Sequence, residues 1–119
     1  MSGFKPFEII PGDPSRSLVI LADHAMNRLP EEYGDLGLPA EAFKRHIAYD
    51  IGVEDVTRGL SARLGVPAVL GCFSRLLIDP NRGEDDPTLI MKLADGMVIP
   101  SNHPLSVGER ECRLDLFHR

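Results

Sequence analysis

Short apolar runs bounded by turn residues set the pattern of this chain. The run at residues 18–23, Leu-Val-Ile-Leu-Ala-Asp, has polar residues before it and turn residues after it. A continuous apolar run of this length is typical of a buried strand in a parallel sheet, so we predict one here. Residues 66–71 begin a second strand region, and the apolar piece at residues 76–78 is predicted to continue it.

A helix is predicted between the two strand regions. It runs from about Gly52 to Leu64, with Asp50 placed to cap it and Gly65 placed to end it. Its apolar residues recur at helical spacing and are Val53, Val56, Leu60 and Leu64. Strand, helix and strand in this order predict a βαβ unit, whose crossover is nearly always right-handed.

Weaker patterns flank this unit. The turn-rich start at residues 1–16 includes Phe7–Ile10, a predicted edge strand, and most of residues 24–39 is predicted to be loop. Helical pattern resumes at residues 39–43, and Ser106 with Glu109 forms a capping box for a helix that continues to residue 119. Residues 83–104 carry no clear pattern. The chain is therefore predicted to be one α/β domain.

Composition narrows the range of partners. The chain has 119 residues, 43% of them hydrophobic, which is enough for the core of one domain. Its formal charge is -5 and it has no block of Lys or Arg, which argues against nucleic acid and anionic membranes as partners. A small anionic substrate needs only a locally basic pocket, so it stays compatible with this charge.

The cysteines and the first residues predict a location. Cys72 and Cys112 do not have the spacing of a metal-binding pair, and no apolar segment of a secretory signal follows Met1. No run reaches the length of a transmembrane helix. We therefore expect reduced thiols and a cytoplasmic protein, with Cys72 in the core.

Asp23 and His24 are the first candidates for chemistry, because ligands bind off the carboxyl ends of strands in open α/β sheets. His24 is the best metal candidate, although Asn27 stands where an H-x-x-E motif would have its Glu. A structural His and a capping Asp are the alternative. His46 and Asp50 are four residues apart, and they read either as a functional pair or as a surface His and a helix cap.

A second group of polar residues follows the second strand region. Arg75 and Arg82 flank Asp79 and Asn81, and each guanidinium is able to bind a carboxylate in bidentate fashion. An ordinary turn with paired arginines is the alternative. The sequence lacks a G-x-S-x-G elbow, a P-loop and a G-x-G-x-x-G motif, which argues against a serine nucleophile and against nucleotide binding.

Taken together, these motifs resemble the N-formylglutamate amidohydrolase family. The matching text is Leu-Ala-Asp-His-Ala at 21–25 with Asn27 and Pro30, His-Ile-Ala-Tyr-Asp-Ile-Gly at 46–52, Phe-Ser-Arg-Leu-Leu-Ile-Asp-Pro-Asn-Arg at 73–82, Asp-Asp-Pro at 85–87 and Ile-Pro at 99–100. The segments at 46–52 and 74–82 are specific in combination. The resemblance covers nearly the whole chain in order and spacing.

The resemblance implies a three-layer α/β fold with a mixed sheet between helices, similar to zinc-dependent exopeptidases and to phosphorylase/hydrolase-like folds. It implies hydrolysis of an N-formyl amino acid, such as N-formyl-L-glutamate, to formate and the free amino acid, as in histidine breakdown. Zn²⁺ is the expected cofactor, although another divalent metal is an alternative. Family members look about twice as long, so residues 1–119 are expected to be a single partial domain that is able to self-associate.

The same resemblance assigns site residues. Asp23, Asp50 and Asp79 are the expected catalytic carboxylates. The expected substrate-binding residues are Asn27, Arg75, Asn81 and Arg82. The mechanism we expect has as metal ligands His24, an acidic residue (Asp50, with Asp23 as the alternative) and a third ligand, either His118 or a residue of the longer family members. Two alternatives remain open at this stage: a non-catalytic anion-binding or regulatory module, and a deacylase for another N-acyl amino acid.

Overall fold

The computed structural model describes residues 4–118, so the predicted features that fall on residues 1–3 and 119 lie outside the described part. Its main sheet has three strands, β1 (Phe7–Ile10), β2 (Ile20–Ala22) and β3 (Ala68–Gly71). The strand order is β1-β3-β2, with β1 antiparallel and β2 parallel to the central β3. The predicted mixed sheet and the edge position of Phe7–Ile10 are confirmed.

Helix α1 (Val53–Leu64) connects β2 to β3, so the predicted βαβ unit is confirmed. It ends at Gly65, whose φ of 65° is the left-handed conformation that glycine adopts readily. Its N-cap is Gly52, with a φ of 89°, and no side chain caps the first turn. The prediction that Asp50 caps this helix is therefore wrong.

The face that α1 buries also differs from the prediction. Thr57 and Ser61 are its buried residues, and the Ser61 hydroxyl donates to the Val66 carbonyl at 2.6 Å. Val56, Leu60 and Leu64 are exposed. The sheet has small residues, such as Ala22 and Ala68, on the face next to the helix. The helix therefore packs on the sheet through Thr57, Ser61 and, at its start, Val53, while its other predicted apolar residues face solvent.

The two faces of the sheet have different surroundings, because alternate residues of a strand point to opposite sides. Ala22, Ala68 and Leu70 are buried together on the face that α1 covers. On the other face Ile9, Val69 and Leu21 form a row in register. Leu21 is 74% and Ile9 is 61% exposed, so we call this row the open sheet face. The run at residues 18–23 is thus not a strand covered on both sides, and in the part described the second helical layer is not seen.

The remaining elements are a second α-helix, a short hairpin and several 3-10 helices. Helix α2 (Val107–Phe117) is capped by the Ser106 hydroxyl, which accepts the Glu109 amide at 3.1 Å as predicted. Residues 83–104, which had no predicted element, contain a short hairpin of β4 (Leu93–Ala94) and β5 (Met97–Val98). Residues 40–44 form a 3-10 helix rather than the start of an α-helix.

Most residues of the larger hydrophobic core belong to loops and turns rather than to the strands of the main sheet. Residues 76–78, predicted as strand, are in a turn and are completely buried in this core. They turn because the Ser74 hydroxyl accepts the Leu76 amide at 3.2 Å and donates to the Ala48 carbonyl at 2.9 Å. Across residues 4–118 the structure shows no helix long and apolar enough to cross a membrane.

Candidate active site

The end of β2 places His24 in a buried position. β2 ends at Ala22, and two residues later His24 has a φ of +57°, a left-handed conformation in which histidine is found more often than most residues. The chain therefore turns away from the sheet directly after the strand. The His24 carbonyl accepts the Asp50 amide at 2.7 Å, which ties this turn to the segment before α1.

The His24 imidazole lies between two carboxylates. Its Nε2 is 2.5 Å from Oδ1 of Asp79, a residue 55 positions away in the sequence, and its Nδ1 is 3.4 Å from Oδ2 of Asp50. The hydrogen bond with Asp79 raises the pKa of His24, and burial, which acts in the opposite direction, is outweighed. The fold thus brings together His24, Asp50 and Asp79, three predicted site residues from three separate motifs.

Asp79 is the centre of the cluster. It is 1% exposed, and its Oδ2 faces Nη2 of Arg75 at 3.3 Å and Nε of Arg82 at 3.4 Å. Its Oδ1 also accepts the backbone amide of Asn81 at 3.0 Å. Burial opposes ionisation, but the hydrogen bonds from His24 and Asn81 outweigh it and lower the pKa of Asp79. Asp79 is therefore a charged side chain with both oxygens in use.

Asp50 faces the same imidazole from the solvent side. Its side chain is 44% exposed, and its Oδ1 is 3.6 Å from Nη1 of Arg75. The side chain thus joins the cluster instead of capping α1. Because it is accessible and Asp79 is not, Asp50 is the carboxylate of this pair that water can reach.

The two arginines have unused hydrogen-bonding capacity. Nε of Arg75 is buried without a hydrogen-bond partner, which is a costly state for a donor. Arg82 reaches Oγ1 of Thr88 at 2.6 Å and Oδ2 of Asp86 at 3.8 Å, and about a third of its side chain remains exposed. Guanidinium groups in such positions are able to bind an anionic group that enters from solvent.

Comparison with known proteins identifies the family. Residues 16–119 match the family model of N-formylglutamate amidohydrolase. The chain belongs to the N-formylglutamate amidohydrolase family. No curated protein sequence matches it.

A gene product of Agrobacterium tumefaciens, known from its crystal structure, is similar to this N-formylglutamate amidohydrolase family member. The two share 32% sequence identity with a TM-score of 0.85, over 97% of this chain and 47% of that chain. The similarity confirms the predicted α/β fold. This chain therefore spans about half the length of that solved protein.

Other residues predicted for an N-formylglutamate amidohydrolase site have contacts elsewhere. Asp23 is exposed and lines an apolar groove of about 280 Å³ at the open sheet face. Nδ2 of Asn27 donates to the Phe43 carbonyl at 2.5 Å, and His118 pairs with Glu84 at the surface. The assignment of Asp23, Asn27 and His118 to the site stays a prediction.

The donors around His24 suit part of a metal site. Two ligands that are each about 2.1 Å from a tetrahedral metal lie about 3.4 Å apart, which is the separation of His24 Nδ1 and Asp50 Oδ2. Asp79, on Nε2, has the position of the carboxylate that orients a metal-bound histidine. Among residues 4–118, however, no group of three or more His, Cys, Asp or Glu side chains is arranged to hold a metal. The pair therefore fits a zinc site whose third protein ligand is not provided by the described arrangement.

Thr88 is a site neighbour that the sequence analysis missed, and Asp86 was quoted there only within the Asp-Asp-Pro match, without a role. The Thr88 amide and hydroxyl both contact Oδ1 of Asp86, at 2.8 and 2.6 Å, which forms a small turn beside Arg82. The signal was present as an Asp followed two residues later by Thr, a pattern of local side-chain turns. It was not linked to Arg82 because the hydrogen bond between them depends on the fold of the intervening loop.

Proposed function

We propose that this chain carries the His24 site of a metal-dependent amidohydrolase, which cleaves an N-formyl amino acid such as N-formyl-L-glutamate to formate and the free amino acid. The observation that carries the proposal is the placement of His24 between Asp79 and Asp50, with Arg75 and Arg82 beside them. The family match supports an amidohydrolase. The choice of substrate and of zinc is our inference.

Asp79 orients His24 in this proposal. It accepts a hydrogen bond from Nε2–H, so that Nδ1 is the ring nitrogen left to face Asp50. Because Asp79 is buried and its oxygens are occupied, it does not take a proton from water. This assigns the predicted catalytic Asp79 a positioning role.

His24 Nδ1 and Asp50 would hold Zn²⁺, with a third ligand still to be identified. When bound, the metal would polarise the formyl carbonyl and lower the pKa of a water molecule. Asp50 is the accessible carboxylate next to His24, so it is also the candidate to accept a proton and return it to the leaving amine. The two roles would fall to different oxygens: Oδ2, which faces His24 Nδ1, would be the metal ligand, and Oδ1 would accept the proton.

The guanidinium groups would bind the substrate's carboxylates. Arg75 and Arg82 present partly exposed, planar groups next to the candidate metal ligands. An N-formyl dicarboxylic amino acid has two carboxylates, so each arginine would bind one of them. A monocarboxylic N-formyl amino acid has only one carboxylate. The ratio of kcat/KM for the two substrates therefore measures the contribution of the second arginine–carboxylate contact.

The first experiment is formate release by the 119-residue chain with and without added Zn²⁺. N-formyl-L-glutamate, N-formyl-L-leucine and N-acetyl-L-glutamate are compared, with His24→Ala as the inactive control. We expect zinc-dependent release that is fastest with N-formyl-L-glutamate. Faster cleavage of the acetyl compound would favour a deacylase for other N-acyl amino acids. No release by a folded, zinc-loaded chain would show that residues 1–119 do not catalyse the reaction alone.

The second candidate function is an anion-binding module without catalysis. It is favoured by one observation, the lack of a group of three metal-binding side chains within residues 4–118. Zinc content and calorimetry separate the two functions. About one zinc per chain with turnover supports the enzyme, whereas binding of N-formyl-L-glutamate without zinc and without turnover supports the module.

A further inference from the structure

Arg113 is a buried charged residue that the proposed chemistry does not use. It lies on α2 and is 1% exposed, and it is among the largest fully buried side chains of the described part of the chain. Burying a charge is costly unless its hydrogen bonds are satisfied. Arg113 meets this requirement through an ion pair with Glu109 at 3.1 Å and through contacts with loop groups. Its guanidinium also lies 5.2 Å from the centre of the Tyr33 ring.

The loop groups that Arg113 contacts include the segment between two site residues, Arg75 and Asp79. Its Nη1 donates to the Leu77 carbonyl at 3.0 Å and to Oδ1 of Asn102 at 2.6 Å. Asn102 is fully buried, and its Nδ2 donates to the carbonyls of Leu76 at 2.8 Å and Met91 at 2.7 Å. One arginine and one asparagine therefore bind two consecutive carbonyls of the turn that separates Arg75 from Asp79.

This turn depends on side chains for its backbone hydrogen bonds. It is completely buried but is not part of a sheet, so the carbonyls of Leu76 and Leu77 have no neighbouring strand to bind them. Directly after it, the Asp79 amide donates to the Leu89 carbonyl at 2.8 Å. The place of the Asp79 carboxylate against His24 is thus coupled to hydrogen bonds that originate on α2.

We propose that Arg113, acting together with Asn102, is a positioning residue of the His24 site. It fixes the turn at residues 76–78 and thereby sets Asp79 and Arg75 in their places. Its importance for catalysis rests on the proposed function, whereas the positioning itself does not. A merely space-filling role would not need arginine, because an apolar side chain of similar size fills the same volume.

The test compares Arg113→Met with Ser61→Ala. Methionine retains much of the volume but none of the hydrogen bonds. Ser61→Ala removes another buried hydrogen bond, on α1 and away from the turn, so it is a control for lost stability. Both are examined without metal at one fixed pH. NMR detects the His24 Nε2 proton, which the hydrogen bond to Asp79 protects from exchange with water, and hydrogen exchange follows the Asp79 amide.

We expect Arg113→Met to lose or shift the His24 ring-proton signal and to accelerate exchange of the Asp79 amide at least about ten-fold relative to global unfolding. Ser61→Ala should leave both unchanged. Arg113→Lys should restore them only in part, since an ammonium group cannot reproduce the fork. Where the chain is active, kcat of Arg113→Met should fall on the order of 10²-fold.

A milder variant keeps the proposal falsifiable if Arg113→Met does not fold. Asn102→Asp retains the oxygen that accepts from Arg113 and loses the amide donor to Leu76 and Met91. It should disturb the His24 signal in the same direction. An unchanged His24 signal and unchanged Asp79 exchange in a folded variant would overturn the proposal. Failure of formate release would instead count against the proposed function, because neither of these two measurements needs turnover.

Discussion

His24 shows how one residue can be held by forces of several kinds. Its left-handed backbone is a sparsely populated conformation, which costs about 1–3 kcal/mol and persists only where the surroundings enforce it. Its carbonyl bonds to Asp50 and its Nε2 to Asp79, so backbone and side chain are fixed from two directions. This arrangement leaves Nδ1 as the ring nitrogen that faces the exposed carboxylate.

Asp79→Asn should weaken zinc binding about 10- to 100-fold, because an amide does not hold the His24 tautomer as a carboxylate does. It also removes the negative charge that Arg75 and Arg82 share. Isothermal titration with zinc measures the change. Asp86→Asn is the matched control, since it alters another carboxylate near Arg82 at 3.8 Å without touching His24. Equal zinc affinity in Asp79→Asn and the parent chain would contradict the orienting role.

Arg75→Lys and Arg82→Lys test the carboxylate contacts. Lysine keeps the charge but loses the planar fork, so binding of N-formyl-L-glutamate should weaken by about ten-fold in each variant, while N-formyl-L-leucine should be affected by only one of them. Calorimetry with both ligands gives the comparison. If neither variant changes the affinity, the arginines do not bind the substrate carboxylates.

At the scale of elements, an ion-pair group ties α1 to the sheet. Arg58 of α1 donates to both carboxylate oxygens of Glu8 on β1, at 2.8 and 2.9 Å, and also to Glu54. The hydrogen bonds from Arg58 lower the pKa of Glu8. A carboxyl whose pKa is lowered on folding contributes stability above its unfolded pKa and loses it as pH falls through the folded value.

Glu8→Gln should therefore reduce the free energy of unfolding at pH 7 by up to about 1 kcal/mol, a small effect because the pair is partly exposed. The parent chain should lose this contribution as the pH falls below about 4.5, the ordinary pKa of a glutamate, whereas Glu8→Gln should not. Urea unfolding at pH 7 and pH 3.5 measures it, with Glu41→Gln as a surface control. A parent and a variant with the same pH dependence would rule out the contribution.

Element boundaries could be predicted from the sequence where a residue typical of helix ends or helix caps is present. Gly65 ended α1 and Ser106 capped α2 as predicted, because both act on their own backbone. Residues 76–78 were read as strand because periodicity cannot separate a buried turn from a buried strand. The hairpin of β4 and β5 was missed although Asp95-Gly96 is a strong two-residue turn signal.

The site was predictable only in part for a related reason. The motifs identified Asp50, Arg75 and Asp79 as candidates, but no spacing rule predicts that His24 meets a carboxylate 55 positions away. That contact depends on β2 and β3 being neighbours in the sheet. The buried contacts of Arg113 were not predicted for the same reason, since an arginine inside a predicted helix is normally taken as a surface residue.

At the scale of the whole molecule, the open sheet face is the main departure from a closed domain. Ile9 and Leu21 are exposed there, and the groove beside them is lined by Phe7, Phe73 and Phe117 among others. Exposed apolar surface of this kind marks a contact site or a liability. The self-association that was expected from the sequence stays a prediction, and this face is where it can be tested.

Leu21→Glu should reduce binding of an apolar fluorescent dye several-fold and lower light scattering at high concentration, because it places a charge on the most exposed residue of the row. Val107→Glu, a change at a site that is 76% exposed on α2, is the control for adding one negative charge. Fluorescence titration and light scattering on the folded chains give the comparison. Equal dye binding by both variants would show that the open sheet face is not the apolar surface being detected.

The position of β2 at the rim of the sheet has a further consequence. In the described part of the chain its only partner strand is β3, so one side of Ile20–Ala22 presents free backbone donors and acceptors. Leu18 and Val19, just before it, lengthen the apolar run, and its nearest charged residues are Arg16 and Asp23. Such a segment is a template onto which a like strand can add, and repeated addition leads to cross-β fibres. We therefore expect any association of this chain at high concentration to begin at this strand edge, with a lag phase that seeding shortens.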